Sequence, residues 1–447
     1  MSTPGHAARP VLPRLALTDL VSREVQNPHL LHVRRRTDDP GPPLDVSRAV
    51  AEELSAAIAV VRPGDSVAVA VGSRGIARIA EVVRAVVATL REGGAVPYLV
   101  PAMGSHGGAT PAGQTAVLAN LGITEDIAPI RASMDVLVLG RAGDVEVYAS
   151  VEALRADHVL LVNRVKSHTS FSGSIESGLA KMAAIGLGKQ RGAEELHRLG
   201  PLHLERRILA AYALIASRSS VLGGLAVTED RHKRLLSLDF VPPSGIGGER
   251  ESALLERARL HEGRLPFTEL DVLVVDRMGK EISGTGMDTN VLGRRMVRGS
   301  PEPQGLSVTN VVVGGVTPGS EGNAVGLGLA DFIPVAALEH VDLAATYANA
   351  LTAGLQGVQR AQIPIALATE RDAVAAAIMT AGVADPAALR MVRIRSTLAL
   401  DELMITPNLL AEGRGLEPVD DRGPLPLFHN DRLVPWIVAE PRKAETR

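Results

Sequence analysis

The sequence predicts an α/β fold of two domains, each built on a mostly parallel sheet, with an active-site cleft between them. Three observations predict it. Short apolar runs recur along the chain, among them SVAVAV at 66–71, VLLV at 159–162 and DVLVVD at 271–276; uninterrupted runs of this length suit strands covered on both faces. Several of these runs pass through a Gly-rich turn into a stretch of helical periodicity, the alternation that builds parallel sheets. The length of 447 residues also exceeds what one hydrophobic core usually serves. We expect domains at residues 1–265 and 266–447, divided near Gly263–Pro266.

Taken in order, residues 1–48 read as an irregular Pro- and Arg-rich lead, with Arg34-Arg35-Arg36 as a solvated turn. A helix over 49–61 precedes the strand Ser66–Val71, the turn Gly72-Ser73-Arg74-Gly75 and a helix over 76–91. Strand, Gly-turn and helix together present backbone N–H groups to an anion. Gly93-Gly94 leads into the strand Val96–Val100, which ends in a Gly-rich loop holding His106. Thr110 reads as an N-cap and Pro111 as the first residue of a helix to about 121. Strands follow at 135–139 and 145–149, a helix near 152–156, and then the buried strand at 159–162. A helix at 204–217, a strand at 221–227, a loop over 241–250 and a helix at 250–261 complete the first half.

The second half opens with the strand 271–276 and a polar turn holding Lys280. Strands at 308–313, 364–368 and 390–395 alternate with helices at 337–353 and 370–381. The Pro- and Gly-rich tail from 412 reads as wrapping the surface. The sequence shows no internal repeat.

Composition narrows the function. Hydrophobic residues make up 46% but aromatics only 2%, so the cores must be packed from Ala, Val, Leu and Ile. The 47 basic and 50 acidic residues are well mixed, and no aromatic residues are interleaved with the basic ones to stack bases, so no nucleic-acid partner is expected. Cysteine is absent, which removes disulfides, thiolate nucleophiles and Cys-based metal sites. The N-terminus has no apolar signal core, and no apolar run approaches the ~18 residues of a membrane span. A cytoplasmic protein with no membrane partner is expected.

The window 159–200 concentrates chemistry. The chain holds six lysines, at 166, 181, 189, 233, 280 and 443, and three lie in this window, whereas 41 positions carry Arg. An amine can lose its proton and act as a nucleophile, as guanidinium cannot. The bland alternative is a solvated cluster of surface charges. His106, His168 and His197 also come from polar or Gly-rich segments. Their wide spacing forms no local zinc motif, and no G-x-S-x-G nucleophile elbow lies between a strand and a helix. Two histidines, an arginine and a lysine at one sheet edge suit proton or hydride chemistry at a 2-substituted carboxylic acid.

Five segments, GSHGGAT (104–110), NRVKSHTSFSG (163–173), GLAKMAAIGLGKQRGAEELH (178–197), DRMGKEISGTGMDTNVLGR (276–294) and EGNAVGLGLADF (321–332), resemble the lactate racemases that depend on a nickel-pincer nucleotide, together with their 2-hydroxyacid racemase and epimerase homologues. The resemblance implies an isomerase that inverts the C2 centre of a 2-hydroxy acid. It implies a nickel-pincer nucleotide covalently tethered to Lys181, and nickel held by His197 sixteen residues on, with Gly186 five residues after the lysine. It assigns His106 and His168 as the acid/base pair, Arg74 to the substrate carboxylate, Gly72 and Ser73 to the cofactor and Lys280 to the substrate. Cofactor-biosynthesis proteins are implied as loading partners.

The family's Asp three residues before the arginine is Val71 here, and the segment from His168 to Lys181 is longer than in the lactate enzymes. For the second-domain contacts the candidates are Lys280, Asp288, Asn290 and Arg294. Two other readings stay open: a relative that binds the cofactor or a nucleotide without turnover, and an NAD-linked dehydrogenase. The second lacks the glycine fingerprint of a dinucleotide domain.

Overall fold

The computed structural model describes residues 12–22, 25–36, 41–73 and 75–436. The chain divides into two units. Residues 41–262 form one, and residues 12–36 join 263–436 in the other. The N-terminal lead therefore does not belong with the residues that follow it, contrary to the expected domain at 1–265. The cause is a strand, β1 (His29–Arg35), hidden in the Arg-rich lead. Its partners all lie beyond residue 400: Leu31 stands opposite Ile405, and Val33 opposite both Leu403 and Pro418. Arg34 and Arg35 are strand residues, not a solvated turn; Arg34 pairs with Glu417 at 3.6 Å, and Arg35 donates to the Arg264 carbonyl at 2.6 Å.

The unit of residues 41–262 carries β2 (Ser66–Val71), β3 (Val96–Pro101), the hairpin β4 (Val136–Ala142) and β5 (Val145–Ser150), then β6 (His158–Arg164), β7 (Val221–Glu229) and β8 (Leu235–Val241). The main sheet runs β3-β2-β6-β7-β8, parallel except for β8. Alternation along β2 sorts its side chains to two faces. Val67, Val69 and Val71 join the helices 46–58 and 79–92, whereas Ala68 and Ala70 face the layer containing Leu179, Ala183 and Ile208. Small residues on that second face let the helical segments approach closely. Thr110 caps the helix Pro111–Asn120, its hydroxyl accepting from the Gly113 N–H at 3.1 Å, as expected.

The other unit carries β9 (Glu269–Val275), β10 (Ser307–Val313), β11 (Phe332–Pro334), β12 (Ile365–Leu367), β13 (Met391–Ile394), β14 (Glu402–Ile405) and β15 (Leu416–Pro418). Their order is β12-β11-β10-β9-β13-β14-β1-β15, parallel from β12 to β13 and antiparallel beyond. The helix expected at 337–353 starts at Leu343, because Asp342 caps it by accepting from Ala344 and Ala345 N–H at 2.8 and 3.1 Å. The end of the described chain docks on this sheet. Trp436 donates its indole N–H to Asp276 at 2.6 Å, and Asp276 also takes both arms of Arg393 at 2.8 and 3.0 Å. Arg395 lies 4.4 Å from the Trp436 ring centroid. No helix among the described residues is long and apolar enough to cross a membrane.

This topology makes a prediction. A fragment of residues 41–262 is expected to give a cooperative melt by circular dichroism. A fragment of 263–447 is expected to stay unfolded until a peptide of residues 25–36 restores the strand between β14 and β15. Cooperative folding of 263–447 alone would overturn that role for β1.

Candidate functional site

In a parallel sheet the loops after each strand emerge at one edge. Here the turn after β2 carries Gly72 and Ser73, the loop after β3 carries His106, and the loop after β6 carries His168. Val71, the last residue of β2, is wholly buried in the apolar layer and offers no group to that edge. Arg74 lies outside the described residues. Ser73 Oγ bonds His106 Nδ1. The turn after β2 is held by Glu229, whose carboxylate accepts from the Ala77 N–H and pairs with Arg164. Arg164 reaches on to the Gly75 carbonyl at 3.3 Å.

The His168 loop is closed by backbone bonds between Lys166 and Ser177 at 2.9 and 3.2 Å. Inside it, the Glu176 carboxylate accepts from the His168 and Gly173 N–H groups and pairs with Arg259. Burial pushes the Glu176 carboxyl up, against the pull of those N–H groups and Arg259. His168 Nδ1 accepts from the Ser170 N–H at 3.0 Å. A neutral His168 therefore carries its hydrogen on Nε2 and offers it as a donor. Its ring packs on Phe171 with centroids 4.6 Å apart.

Lys181 ends a short helix, Leu179–Lys181, which continues as a π-turn over Met182–Gly186 and then as the helix Lys189–His197. π-turns often mark functional segments. Glu251 is 1% exposed and accepts from the Leu179 and Gly247 N–H groups at 2.6 and 2.8 Å and from Ala180 N–H. Burial raises its carboxyl pKa in spite of those bonds. His197, at the far end of the run, places Nδ1 2.7 Å from the Ala193 carbonyl. A carbonyl only accepts, so Nδ1 holds the hydrogen and Nε2 keeps its lone pair. Desolvation lowers the His197 pKa, and so does the Lys181 ammonium, against the Ala193 carbonyl.

The three histidines are thus prepared differently. His168 shows an N–H, His197 a lone pair, and His106, against a hydroxyl, can show either. Among the described residues no three His, Asp or Glu side chains cluster as a metal site. A metal at His197 would need its other ligands brought by another group, and a single neutral imidazole with its Nε2 lone pair fits that arrangement.

Lys280 belongs to the other unit. Its ammonium donates to the Gly284 and Val325 carbonyls, each at 3.2 Å. Burial, and then Arg360, lowers its pKa to about 8. Asp288, Asn290 and Arg294, the other candidates, each bond within this unit. Asp288 caps the helix Thr289–Leu292, Asn290 accepts from Arg295 at 3.2 Å, and Arg294 pairs with Asp331 at 2.6 Å. No motif points to Glu176, which lies inside the loop it braces, nor to Glu229 and Glu251, which act from β7 and from the helix Glu249–His261.

Compared by sequence, the chain matches no family model and no curated protein. Compared by structure, it is similar to a protein of Thermotoga maritima known from its crystal structure, at 12% identity and a TM-score of 0.50 over 80% of this chain and 98% of that one. That likeness shows a shared α/β fold. It is also similar to the lactate racemase apoprotein of Thermoanaerobacterium thermosaccharolyticum, at 10% identity and a TM-score of 0.37 over 64% of this chain and 74% of that one.

Two predictions follow from this geometry. A Cβ at Gly186 would stand 2.6 Å from the Ala102 carbonyl oxygen. Gly186→Ala is expected to cost about 1–3 kcal/mol in urea unfolding, the usual range for overpacking, and an unchanged midpoint would refute the close approach. Lys280 gives up its proton near pH 8 when folded but near 10.5 when unfolded. Between these values the unfolded chain binds more protons, so stability rises with pH; below 8 the penalty for the buried charge is constant. Wild type should therefore gain stability over Lys280→Met from pH 8 to 10.5, and parallel curves would count against the burial.

Proposed function

We propose that the chain inverts the C2 centre of a 2-hydroxy acid, using a nickel-pincer nucleotide tethered to Lys181 with His197 as the protein's nickel ligand. The observation that carries this reading is the state of His197. Its Nδ1 is committed to the Ala193 carbonyl, its Nε2 keeps a lone pair, and the Lys181 charge acts on it. That pairing of a neutral imidazole ligand with an amine tether sits in one of the five segments that resemble the racemases. When bound, the pincer group supplies the hydride acceptor and the carbon and sulfur ligands of nickel.

The chain's own residues account for binding and proton transfer. Arg74 is assigned to the substrate carboxylate, which guanidinium grips in bidentate fashion. His168, with its hydrogen on Nε2, donates to the C2 oxygen. His106, coupled to the Ser73 hydroxyl, removes or returns the proton of that oxygen. Inversion needs the C2 hydride to leave one face and return to the other face of the flat 2-keto acid, while the C2 oxygen loses its proton to His106 and regains it, held throughout by the His168 N–H.

The test is expression together with the cofactor-biosynthesis genes, followed by intact mass, nickel content and a chirality screen of 2-hydroxy acids. Wild type is expected to gain mass at Lys181 and to racemise a substrate. His197→Ala is expected to keep the mass gain but lose nickel. Lys181→Ala is expected to lose the adduct and the activity, and a Lys181→Ala protein retaining both would sink the proposal.

A further inference from the structure

Lys189 is built against the grain of its backbone and its burial. It begins the helix Lys189–His197 at a φ of 53°, in the left-handed region that disfavours a side chain, and it is 1% exposed. Gly188 stands next to it, so a residue suited to that φ was close at hand. The ammonium donates to neutral oxygens, the Pro101 carbonyl and Gln114 Oε1, the latter at 3.0 Å. Gln114 is wholly buried and passes the connection on. Its amide donates to the Gly104 carbonyl at 2.9 Å and to the His106 carbonyl at 3.4 Å. Gly104 in turn donates its N–H to the Gly186 carbonyl at 3.2 Å. The loop from Pro101 to His106 therefore hangs on the helical run that carries Lys181 at one end and His197 at the other.

We infer that Lys189 is a positioning residue for His106: through Gln114 it fixes the His106 loop in register with the segment of Lys181 and His197. The inference rests on the reading of His106 as a proton-transfer group. Gln114 separates the links. Gln114→Glu keeps an acceptor for Lys189 but removes both donations to the loop carbonyls, and Lys189→Met removes the anchor itself.

The test uses the full chain. In the apoprotein, the His106 imidazole signal is identified by its loss in His106→Gln and followed by NMR. It is expected to shift and broaden in Lys189→Met and in Gln114→Glu. His158, held by Asp65 at 3.0 Å where β6 begins, is expected to keep its signal. In loaded enzyme, kcat is expected to fall about a hundredfold, the effect of a misplaced catalytic group, with KM and nickel content unchanged. An unaltered His106 signal in folded Lys189→Met overturns the inference. If that variant does not fold, an unaltered signal in Gln114→Glu overturns it. A shifted His106 signal in a protein that racemises no 2-hydroxy acid upholds the positioning and sinks the functional reading.

Discussion

A buried carboxylate set against free backbone N–H groups holds the candidate site together. Glu251 receives the first N–H groups of the run that carries Lys181 and ties them to Gly247, just ahead of its own helix. The first N–H groups of a helix have no partner within the helix, and one buried carboxylate satisfies several at once. Its cost is desolvation, visible in the raised pKa. Its benefit is that the run starts at a fixed place and cannot slide. Glu176 does the same for the His168 loop and Glu229 for the turn after β2. The turn after β2, the His168 loop and the start of the Lys181 run are thus each held by a carboxylate bonded to backbone N–H groups.

The second constraint is steric. Gly178 leaves no room for a Cβ, which would meet the Glu251 carboxylate at 2.1 Å, and Gly186 lets the π-turn pass close beneath the Ala102 carbonyl. The alanines of β2 serve the same end by thinning the sheet face on which Leu179 and Ala183 lie. Close packing and buried charge act together, since a loose fit would admit water to Glu251 and weaken its hold on the backbone.

The strands were legible because burial on both faces writes itself as an apolar run. β2, β3, β6 and β9 stand within a residue or two of where the sequence puts them. The Thr110-Pro111 helix start was legible for a different, local reason: an N-cap hydroxyl followed by proline at the first helical position. β1 was not, because its pattern HLLHVRR is flanked by charge and its partners are more than 360 residues away. At the site, Ser73, His106, His168, Lys181 and His197 could be picked out by residue type and motif. What the sequence could not show was which nitrogen of each histidine carries a hydrogen. That depends on one carbonyl at Ala193 and one N–H at Ser170, contacts set by loop shape. The bracing glutamates were invisible because any carboxylate within reach of the right N–H serves.

The docked tail has an optical consequence. Trp436 is the sole tryptophan of the chain, and it lies against Arg393 and Arg395 with its indole bonded to Asp276. Emission excited at the red edge of the indole band therefore reports the environment at the ends of β9 and β13. Residues 41–262, which hold every histidine proposed for chemistry, are dark to it. A fluorescence melt of this protein follows one unit only, and full recovery of its signal says nothing about whether the other has refolded.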